Sequence, residues 1–238
     1  MQNSQPTNPI EWREGQPYAS EFQDVYFSTD NGLEESRFVF LTQNNLATRF
    51  SALNAESFTI AETGFGTGLN FLSAWQLWSE LAPANSQLHF ISIEKYPLSI
   101  ADLSKALAHW PTLHDYSQPL QAQYTQLPTG KHPLSFANGK VLLSLLIGDI
   151  SEILPQLNTQ VDAWFLDGFS PAKNPDMWSS ALFLRMAKLA HAQTTFATFT
   201  SAGDVRRGLQ AAGFQVQKLA GFGKKREMLR GCFVGNLT

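Results

Sequence analysis

Short apolar runs alternate with stretches of helical periodicity along most of the chain after Phe58. The apolar runs predict five buried strands, at Phe58–Ala61, His89–Ile93, Val141–Ile147, Val161–Leu166 and Thr194–Phe199. Apolar residues at three- and four-residue spacing predict the helices, at Leu69–Leu81, Leu98–Trp110, Ser151–Leu157, Asp176–Ala190 and Asp204–Ala212. Strands that alternate with helices indicate an α/β fold, in which a doubly wound, mostly parallel sheet carries helices on both faces.

The C-terminal part of the chain predicts an antiparallel addition to this sheet. Phe214–Leu219 and Glu227–Val234 have the residue types of strands and flank the turn Gly221-Phe222-Gly223. Two strands that flank a short glycine turn are typical of an antiparallel pair.

The N-terminal part predicts a β-hairpin ahead of the main domain. Asp24–Phe27 and Phe38–Leu41 are short apolar runs, and Asp30-Asn31-Gly32 between them is a turn signal. We expect residues 1–20 to form a polar arm and residues 111–139 an irregular surface connection. The prediction therefore divides the chain into an N-terminal extension, residues 1–57, and a main domain, residues 58–238.

Composition adds bounds on class and location. The chain has 238 residues, 43% of them apolar, which is enough to bury a sizeable core. Its longest apolar stretch, Val141–Ile147, is far too short to span a membrane, and its N-terminus lacks the basic start and apolar run of a signal peptide. We therefore expect a cytoplasmic protein with no membrane contact.

Metal chemistry is not indicated. The single cysteine, Cys232, excludes an internal disulfide and a cysteine-cluster metal site. The five histidines lack the spacing of metal ligands, and we read them as structural, with His114 and His132 in loops.

A glycine-rich turn between the first core strand and its helix is the first candidate for chemistry. The segment Glu62-Thr63-Gly64-Phe65-Gly66-Thr67-Gly68 lies at the first crossover of a doubly wound sheet, where ligands bind beyond the strand ends. A dinucleotide fingerprint needs glycine at its sixth position, and Leu69 stands there. The pattern instead resembles motif I of class I S-adenosylmethionine-dependent methyltransferases. The alternative is a glycine-rich turn that binds no ligand.

Three further core strands end in, or are followed closely by, an acidic residue. Glu94 is placed to accept hydrogen bonds from ribose hydroxyls, or is a surface acid. Asp149 fits an adenine contact, with Ile150 as a wall for the ring, and equally fits a helix N-cap. Asp167 is placed beside the glycine turn, where a carboxylate could hold a substrate amine and accept its proton.

The segment after Asp167 is unusually rich in special residues. Gly168, two prolines and two aromatics follow within LDGFSPAKNPDMW, and the aromatic side chains of Phe169 and Trp178 could stack on a base. A structural turn with packed aromatics is the alternative, although few turns need so many special residues together.

Charge is distributed unevenly along the chain. Residues 201–238 carry seven basic and two acidic residues, a net of +5 on a body of −8. Such a segment could contact an anionic partner, or could be an ordinary solvated face.

Three segments together resemble the methyltransferase domain of the MnmC family, bacterial enzymes that complete 5-methylaminomethyl-uridine at the tRNA wobble position. They are IAETGFGTGLNFLSAWQLW at 60–78, VDAWFLDGFSPAKNPDMW at 161–178 and the region 196–231, and the resemblance extends from Asp24 to Gly231. It implies a class I (Rossmann-like) methyltransferase fold, S-adenosylmethionine as methyl donor, and the amine of 5-aminomethyl-(2-thio)uridine in the tRNA anticodon loop as acceptor.

The resemblance also implies roles for individual residues. Asp167 would be the catalytic carboxylate. The cofactor-binding set would be Glu62, Gly64, Gly66, Gly68, Asn70, Glu94, Lys95 and Asp149. The substrate side would be formed by Phe169, Pro171 and Lys173, and tRNA phosphates would be held by Arg206, Arg207, Lys224, Lys225 and Arg226. Tyr26, Asn31 and Arg37 belong to the N-terminal part of the match, and whether they reach the pocket stays open.

The resemblance departs from many family members in one respect. Those members are fused to a larger FAD-dependent domain that removes a carboxymethyl group, and such a domain would follow Val234. We therefore expect no FAD in these residues, and either a fused or a separate FAD-dependent oxidoreductase as partner.

Two other functions remain open on the sequence. An aminopropyl transferase of the spermidine-synthase type shares the fold, the glycine turn and an aspartate beside an amine nucleophile, but needs no basic patch. A non-catalytic tRNA-binding module that kept the fold need not bind the cofactor.

Overall fold

A small antiparallel sheet begins the described part of this computed structural model, which covers residues 10–13, 15–26, 31–125 and 127–235. Its strands are β1 (Ile10–Arg13), β2 (Gln16–Ala19) and β3 (Asp24–Val25), in that order. An antiparallel N-terminal extension was predicted, but other residues than those expected form its strands. Residues 10–19, expected in an arm, supply two of the three strands.

The second strand predicted for the N-terminal hairpin is helical instead. Phe38–Leu41 lies within a π-helical segment, Arg37–Thr42, which continues directly from α1 (Gly32–Ser36). Its apolar side chains Val39, Phe40 and Leu41 are buried in the core. Burial of these side chains in the core, rather than strand pairing, therefore accounts for this apolar run. Phe27 and Asp30, which belong to the predicted hairpin, lie outside the described residues.

The main sheet has the predicted doubly wound form. Its strands are β4 (Ser57–Thr63), β5 (Gln87–Glu94), β6 (Gly130–Phe136), β7 (Val141–Ile147), β8 (Ala163–Leu166), β9 (Thr195–Thr198), β10 (Phe214–Ala220) and β11 (Glu227–Phe233). They are arranged in the order β10-β11-β9-β8-β4-β5-β7-β6. The five central strands are parallel, and β11 is antiparallel to both β9 and β10, as expected for the C-terminal pair.

Alternating residues of the central strands enter two different cores. In β8, Ala163 and Phe165 belong to one hydrophobic cluster and Trp164 and Leu166 to the other. Because successive side chains of a strand point to opposite faces, each face of the sheet is covered by its own apolar layer.

Helices supply these layers. They are α1, α2 (Leu46–Ser51), α3 (Leu69–Leu81), α4 (Ile100–Leu107), α5 (His114–Gln123), α6 (Ile150–Ile153), α7 (Ser180–Lys188) and α8 (Gly203–Ala211). Short 3₁₀ turns occur at Pro111–Leu113, Ala137–Gly139, Leu154–Gln156 and Pro175–Trp178. The residues of α1 to α5 contribute to one core, and those of α6 to α8 to the other.

The region 111–139, predicted to be irregular, is largely ordered into α5 and the strand β6. β6 pairs antiparallel with β7 and forms an edge of the sheet, where its Pro133 is tolerated. His114 therefore begins a helix and His132 lies in a strand, so the prediction of loops for both was wrong.

The boundary at residue 57 remains a prediction. Leu33, Phe40 and Phe50 from the proposed extension lie in the same hydrophobic cluster as Phe58 and Phe71 from the main domain.

Candidate active site

Two glycine turns meet at the carboxyl edge of the sheet. Thr63 of β4 pairs with Leu166 of β8, so the residues that follow both strands start side by side. The Thr63 hydroxyl donates a hydrogen bond to the Asp167 carbonyl at 2.8 Å. Gly64 has φ +90°, and a Cβ there would lie 3.3 Å from the Cα of Gly168. The order of the strands reverses here, because β5 lies on one side of β4 and β8 on the other; this is where doubly wound sheets bind ligands.

A cavity of about 560 Å³ opens at these turns. Of the residues predicted from the sequence, its lining contains Gly64, Gly66, Asn70, Glu94, Lys95, Asp149, Asp167, Phe169, Lys173 and Lys225. The predicted residues outside the lining are Glu62, Gly68, Pro171, Arg206, Arg207, Lys224 and Arg226.

Asp167 is held from two sides. Its Oδ1 accepts a hydrogen bond from the Gly168 amide at 2.8 Å, and its Oδ2 accepts one from Asn70 Nδ2 at 2.6 Å. Burial raises the pKa of Asp167 to about 6, against the hydrogen bonds from Gly168 and Asn70 and the charge of Lys225, which lower it. At neutral pH the group is therefore mostly ionised, and it faces the cavity with hydrogen-bonding capacity left.

Glu94 organises the glycine turn. Its Oε2 accepts a hydrogen bond from the Gly66 amide at 2.9 Å, and its Oε1 accepts one from the Tyr96 amide at 2.8 Å. Burial raises the pKa of Glu94, and these backbone hydrogen bonds oppose the shift. The backbone amides of Lys95 and Phe65 also oppose the shift, and the carboxylate lines the cavity, where its remaining lone pairs can accept from a hydroxyl.

Asp149 shows the helix-cap arrangement that was one of its two predicted roles. Its Oδ1 accepts from the Ser151 amide at 2.9 Å at the start of α6. Its Oδ2 pairs with Lys95 Nζ at 2.9 Å. The Ser151 hydroxyl, which donates to the same Oδ1 at 2.6 Å, contributes most to lowering the pKa of Asp149 to about 2, and Lys95 adds to the effect. Both oxygens thus have partners, while the residue and its neighbour Ile150 line the cavity.

Glu62 and Gly68 lie behind the cavity wall. Glu62 is 1% exposed, and its oxygens accept from Asn70 Nδ2 at 2.9 Å and from the Ser92 hydroxyl at 2.7 Å. Burial raises its pKa well above the usual value. Gly68, with φ +74°, is the N-cap of α3. Neither residue lines the cavity, so neither is placed to contact a ligand there.

Aromatic side chains form one wall. The Phe169 ring stacks on Phe22, with centroids 4.3 Å apart and planes at 14°, and meets Tyr26 edge-on at 5.5 Å. Lys173 fastens this wall, since its Nζ donates to the Gln23 carbonyl at 2.6 Å and lies 3.3 Å from Asp24. The second aromatic predicted to stack on a base, Trp178, is buried and donates to the Phe169 carbonyl at 3.0 Å.

The basic residues of the C-terminal segment separate into two groups. Lys225 is exposed but also lines the cavity, where its Nζ lies 2.6 Å from Glu35 Oε1 and 4.8 Å from the Phe199 ring centroid. Arg206, Arg207, Lys224 and Arg226 are exposed, although Arg207 pairs with Asp204.

Several cavity residues escaped the sequence reasoning. They are Phe22, Glu35, Tyr96, Met177 and Phe199. Met177 belongs to the segment after Asp167 but was given no role there, and the other four lie outside the motifs to which a role was assigned; only the tertiary arrangement brings the five together. Of the three N-terminal residues left open, Tyr26 lines the cavity, whereas Asn31 and Arg37 do not, and Arg37 donates to Gln76 instead.

Within residues 10–13, 15–26, 31–125 and 127–235, no cluster of three or more His, Cys, Asp or Glu side chains could hold a metal ion. No helix in that same part of the chain has the length and apolarity needed to cross a bilayer.

Comparison with known proteins gives a consistent result. A family model described as S-adenosyl-L-methionine-dependent methyltransferase matches residues 111–233. The bifunctional protein MnmC of Methylobacillus flagellatus, named for tRNA 5-methylaminomethyl-2-thiouridine biosynthesis, is 60% identical over 227 residues. Its counterpart in Pseudomonas paraeruginosa is 57% identical over 228 residues. Each alignment covers 95% of this chain but 35% of the relative, so the chain spans about a third of the length of these relatives.

A solved structure shows the same fold. The crystal structure of MnmC2 from Aquifex aeolicus superposes with a TM-score of 0.76 at 20% identity, covering 99% of this chain and 73% of that one. These matches confirm the resemblance to the methyltransferase domain of MnmC and the predicted fold class. The chain belongs to the S-adenosyl-L-methionine-dependent methyltransferase family.

Proposed function

We propose that this chain transfers a methyl group from S-adenosylmethionine to the amine of 5-aminomethyl-(2-thio)uridine at the tRNA wobble position, giving 5-methylaminomethyl-(2-thio)uridine. The observation that carries the proposal is the carboxylate of Asp167, fixed beside the glycine turn at the strand-order reversal and facing the cavity. The printed names of the relatives supply the acceptor, because they concern biosynthesis of this nucleoside in tRNA.

The cavity suits a nucleoside methyl donor. Its volume lies in the range of small-molecule sites, roughly 300–1,000 Å³. Glu94 offers acceptor capacity for ribose hydroxyls, and Ile150 offers an apolar surface for a base. Asp149 is the candidate adenine contact, through the lone pair of Oδ2 that Lys95 does not use, since Oδ1 already accepts from the Ser151 amide and hydroxyl. When bound, S-adenosylmethionine supplies a methyl group on a sulfonium.

Asp167 is proposed to hold the acceptor nitrogen. An alkyl amine is mostly protonated at neutral pH, by analogy with the lysine pKa of about 10.4, and its lone pair must be free for transfer. An ionised Asp167 can accept a hydrogen bond from the amine, orient it, and take its proton in a pocket shielded from water. With the donor bound, the amine lone pair would form the nitrogen–methyl bond as the sulfur keeps the electron pair of the broken sulfur–methyl bond, and the resulting secondary ammonium would lose a proton to solvent to give the secondary amine.

The enclosing walls serve positioning. The stacked rings of Phe22 and Phe169 and the tether from Lys173 to residues 23–24 limit the space on the acceptor side. Holding two reactants in place can contribute several kcal/mol, up to about 7–11 in favourable cases. Phe169 and Lys173 thus act on substrate placement, Lys173 through the wall it fastens.

The tRNA is proposed to contact the exposed basic residues. Lys224 and Arg226 lie at the β10–β11 turn, and Arg206 and Arg207 lie on α8. Lys225 stays in this proposed surface, since its side chain is half exposed, although its ammonium also pairs with Glu35 at the cavity. The wobble base, which lies in a single-stranded loop, would be splayed into the site.

The step that generates the aminomethyl group is proposed to lie outside these residues, in a fused or separate FAD-dependent oxidoreductase. The chain spans about a third of its bifunctional relatives, which leaves room in them for a second activity. We place the activity in the cytoplasm, with tRNA as the partner.

The test is methyl transfer into tRNA. Purified chain and S-adenosylmethionine with a labelled methyl group are incubated with tRNA from cells that lack this methylation, and the nucleosides are then separated. We expect label in 5-methylaminomethyl-(2-thio)uridine, and none with fully modified tRNA. Label in another nucleoside, or none despite measurable donor binding, would overturn the proposal. Failure to bind the donor would favour the non-catalytic module.

A further inference from the structure

The side-chain amide of Asn70 connects two carboxyl groups, those of Glu62 and Asp167. Its Nδ2 donates to Asp167 Oδ2 at 2.6 Å and to Glu62 Oε1 at 2.9 Å. Its Oδ1 accepts from the hydroxyl of Ser36 on α1. We infer that Asn70, supported by Ser36 and Glu62, is a positioning residue for the Asp167 carboxylate; Asn70 and Ser36 line the cavity, whereas Glu62 does not. The inference rests on the proposed role of Asp167.

The hydrogen-bonding inventory permits one orientation of the Asn70 amide. The ionised Asp167 carboxylate only accepts hydrogen bonds, so the amide nitrogen of Asn70 must face Asp167, and the same nitrogen reaches Glu62 Oε1. The opposite end then presents an oxygen, and Ser36 supplies the donor that this oxygen needs. A flipped amide would place its oxygen against the Asp167 carboxylate, where neither group has a hydrogen to donate. Ser36 and Glu62 therefore hold the amide in the orientation that serves Asp167.

Glu62 is placed to support Asn70 and not to meet a ligand. It is 1% exposed, does not line the cavity, and engages Asn70 with one oxygen and Ser92 with the other. Burying a carboxylate is costly unless hydrogen bonds compensate, and here both come from buried side chains. The chain Ser92–Glu62–Asn70–Asp167 thus runs from the interior of the sheet to the cavity.

Asp167 is consequently fixed by one amide on each oxygen. Gly168 holds Oδ1 through the backbone, and Asn70 holds Oδ2 through a side chain on the first turn of α3. Loss of the Asn70 contact frees the carboxylate to rotate and removes a hydrogen bond that lowers its pKa. Both changes concern the acceptor side of the site, since the glycine turn is held independently by Glu94.

The experiment compares Asn70→Ala, Ser36→Ala and Glu62→Gln with wild type. Ser73→Ala is the matched control. Ser73 is a buried residue on the same helix, and its hydroxyl donates to the Leu69 carbonyl at 2.8 Å rather than to Asn70 or Asp167. Three quantities are measured: the donor dissociation constant by calorimetry, the single-turnover rate of methyl transfer against pH, and the pKa of Asp167 by carboxyl NMR.

For Asn70→Ala we expect a rate loss of about 10-fold or more, the cost of one hydrogen bond to a charged group. The acid limb of the pH profile and the NMR pKa of Asp167 should both move to higher pH, while the donor dissociation constant stays within about 2-fold. Ser36→Ala should show the same pattern more weakly, Glu62→Gln should leave donor binding unchanged, and Ser73→Ala should resemble wild type.

Donor binding that weakens in step with the rate, with an unmoved Asp167 pKa, would overturn the inference and make Asn70 a donor ligand. If Asn70→Ala does not fold, Ser36→Ala decides by the same criteria. The NMR pKa needs no acceptor, so an enzyme that fails to methylate tRNA would refute the proposed function while the positioning of Asp167 is still tested.

Discussion

Replacing Asp167 with asparagine should change the free energy of unfolding in a pH-dependent way. Burial raises the pKa of Asp167 to about 6 in the folded chain, against an ordinary value of 3.8. The folded state therefore holds this proton more tightly than the unfolded state. Wild type accordingly loses stability from this group as the pH rises from about 4 to above 6. A shift of about two units amounts to about 3 kcal/mol in full, of which about 2 kcal/mol falls between pH 4 and pH 7.5.

Urea denaturation of wild type and Asp167→Asn at both pH values measures this effect. At each pH the free energy of unfolding of wild type is subtracted from that of the variant. Subtracting the pH 4 value of this difference from the pH 7.5 value cancels any pH-independent cost of the substitution, such as a poorer contact with Asn70. We expect the result to favour the variant by about 2 kcal/mol. A difference below about 0.5 kcal/mol, or one of opposite sign, would refute the reasoning that burial holds Asp167 at a raised pKa.

Three further predictions concern binding and backbone geometry. Glu94→Ala should weaken S-adenosylmethionine binding by about 10-fold or more, because it removes both the hydroxyl acceptor and the support of Gly66; calorimetry with an unaltered dissociation constant would exclude the ribose role. The double variant Lys224→Ala/Arg226→Ala should reduce the slope of log affinity for tRNA against log salt concentration by about 1.4, at about 0.7 for each single-strand phosphate contact. An unchanged slope would place the tRNA surface elsewhere. Lys218→Ala is the control for general charge, since Lys218 already pairs with an acidic side chain. Gly64→Ala should impair donor binding and lower the melting temperature, because φ is +90° and the new Cβ would lie 3.3 Å from Gly168 Cα; wild-type values for both would show that the two turns do not need this close contact.

The central fold was predictable because its signals are local. Val141–Ile147 was predicted as a strand and Leu69–Leu81 as a helix, and the structure has both with those bounds. The segment around Phe38–Leu41 was not predictable in the same way, since an apolar run of that length fits a strand or a buried helix equally well. β6 escaped because it contains Pro133, which is unusual in a strand except at an edge.

The candidate site divides in the same manner. Asp167 and Glu94 end their strands or follow them directly, so sequence position alone brings them to the carboxyl edge of the sheet. The burial of Glu62 and the ion pair of Lys225 were not predicted, because burial and side-chain direction depend on packing between distant segments. Glu35, which pairs with Lys225, lies 190 residues away in the sequence, and no local pattern could have indicated that contact.

The most direct test of the account is the single-turnover rate of methyl transfer by Asp167→Asn to tRNA that carries 5-aminomethyl-(2-thio)uridine, with donor affinity measured on the same preparation. Asparagine keeps the size of the side chain but cannot accept the proton of the amine. The account predicts a rate at least about 100-fold below wild type, with a donor dissociation constant within about 3-fold. A variant that methylates this tRNA at nearly the wild-type rate would contradict the claim that Asp167 acts on the acceptor nitrogen.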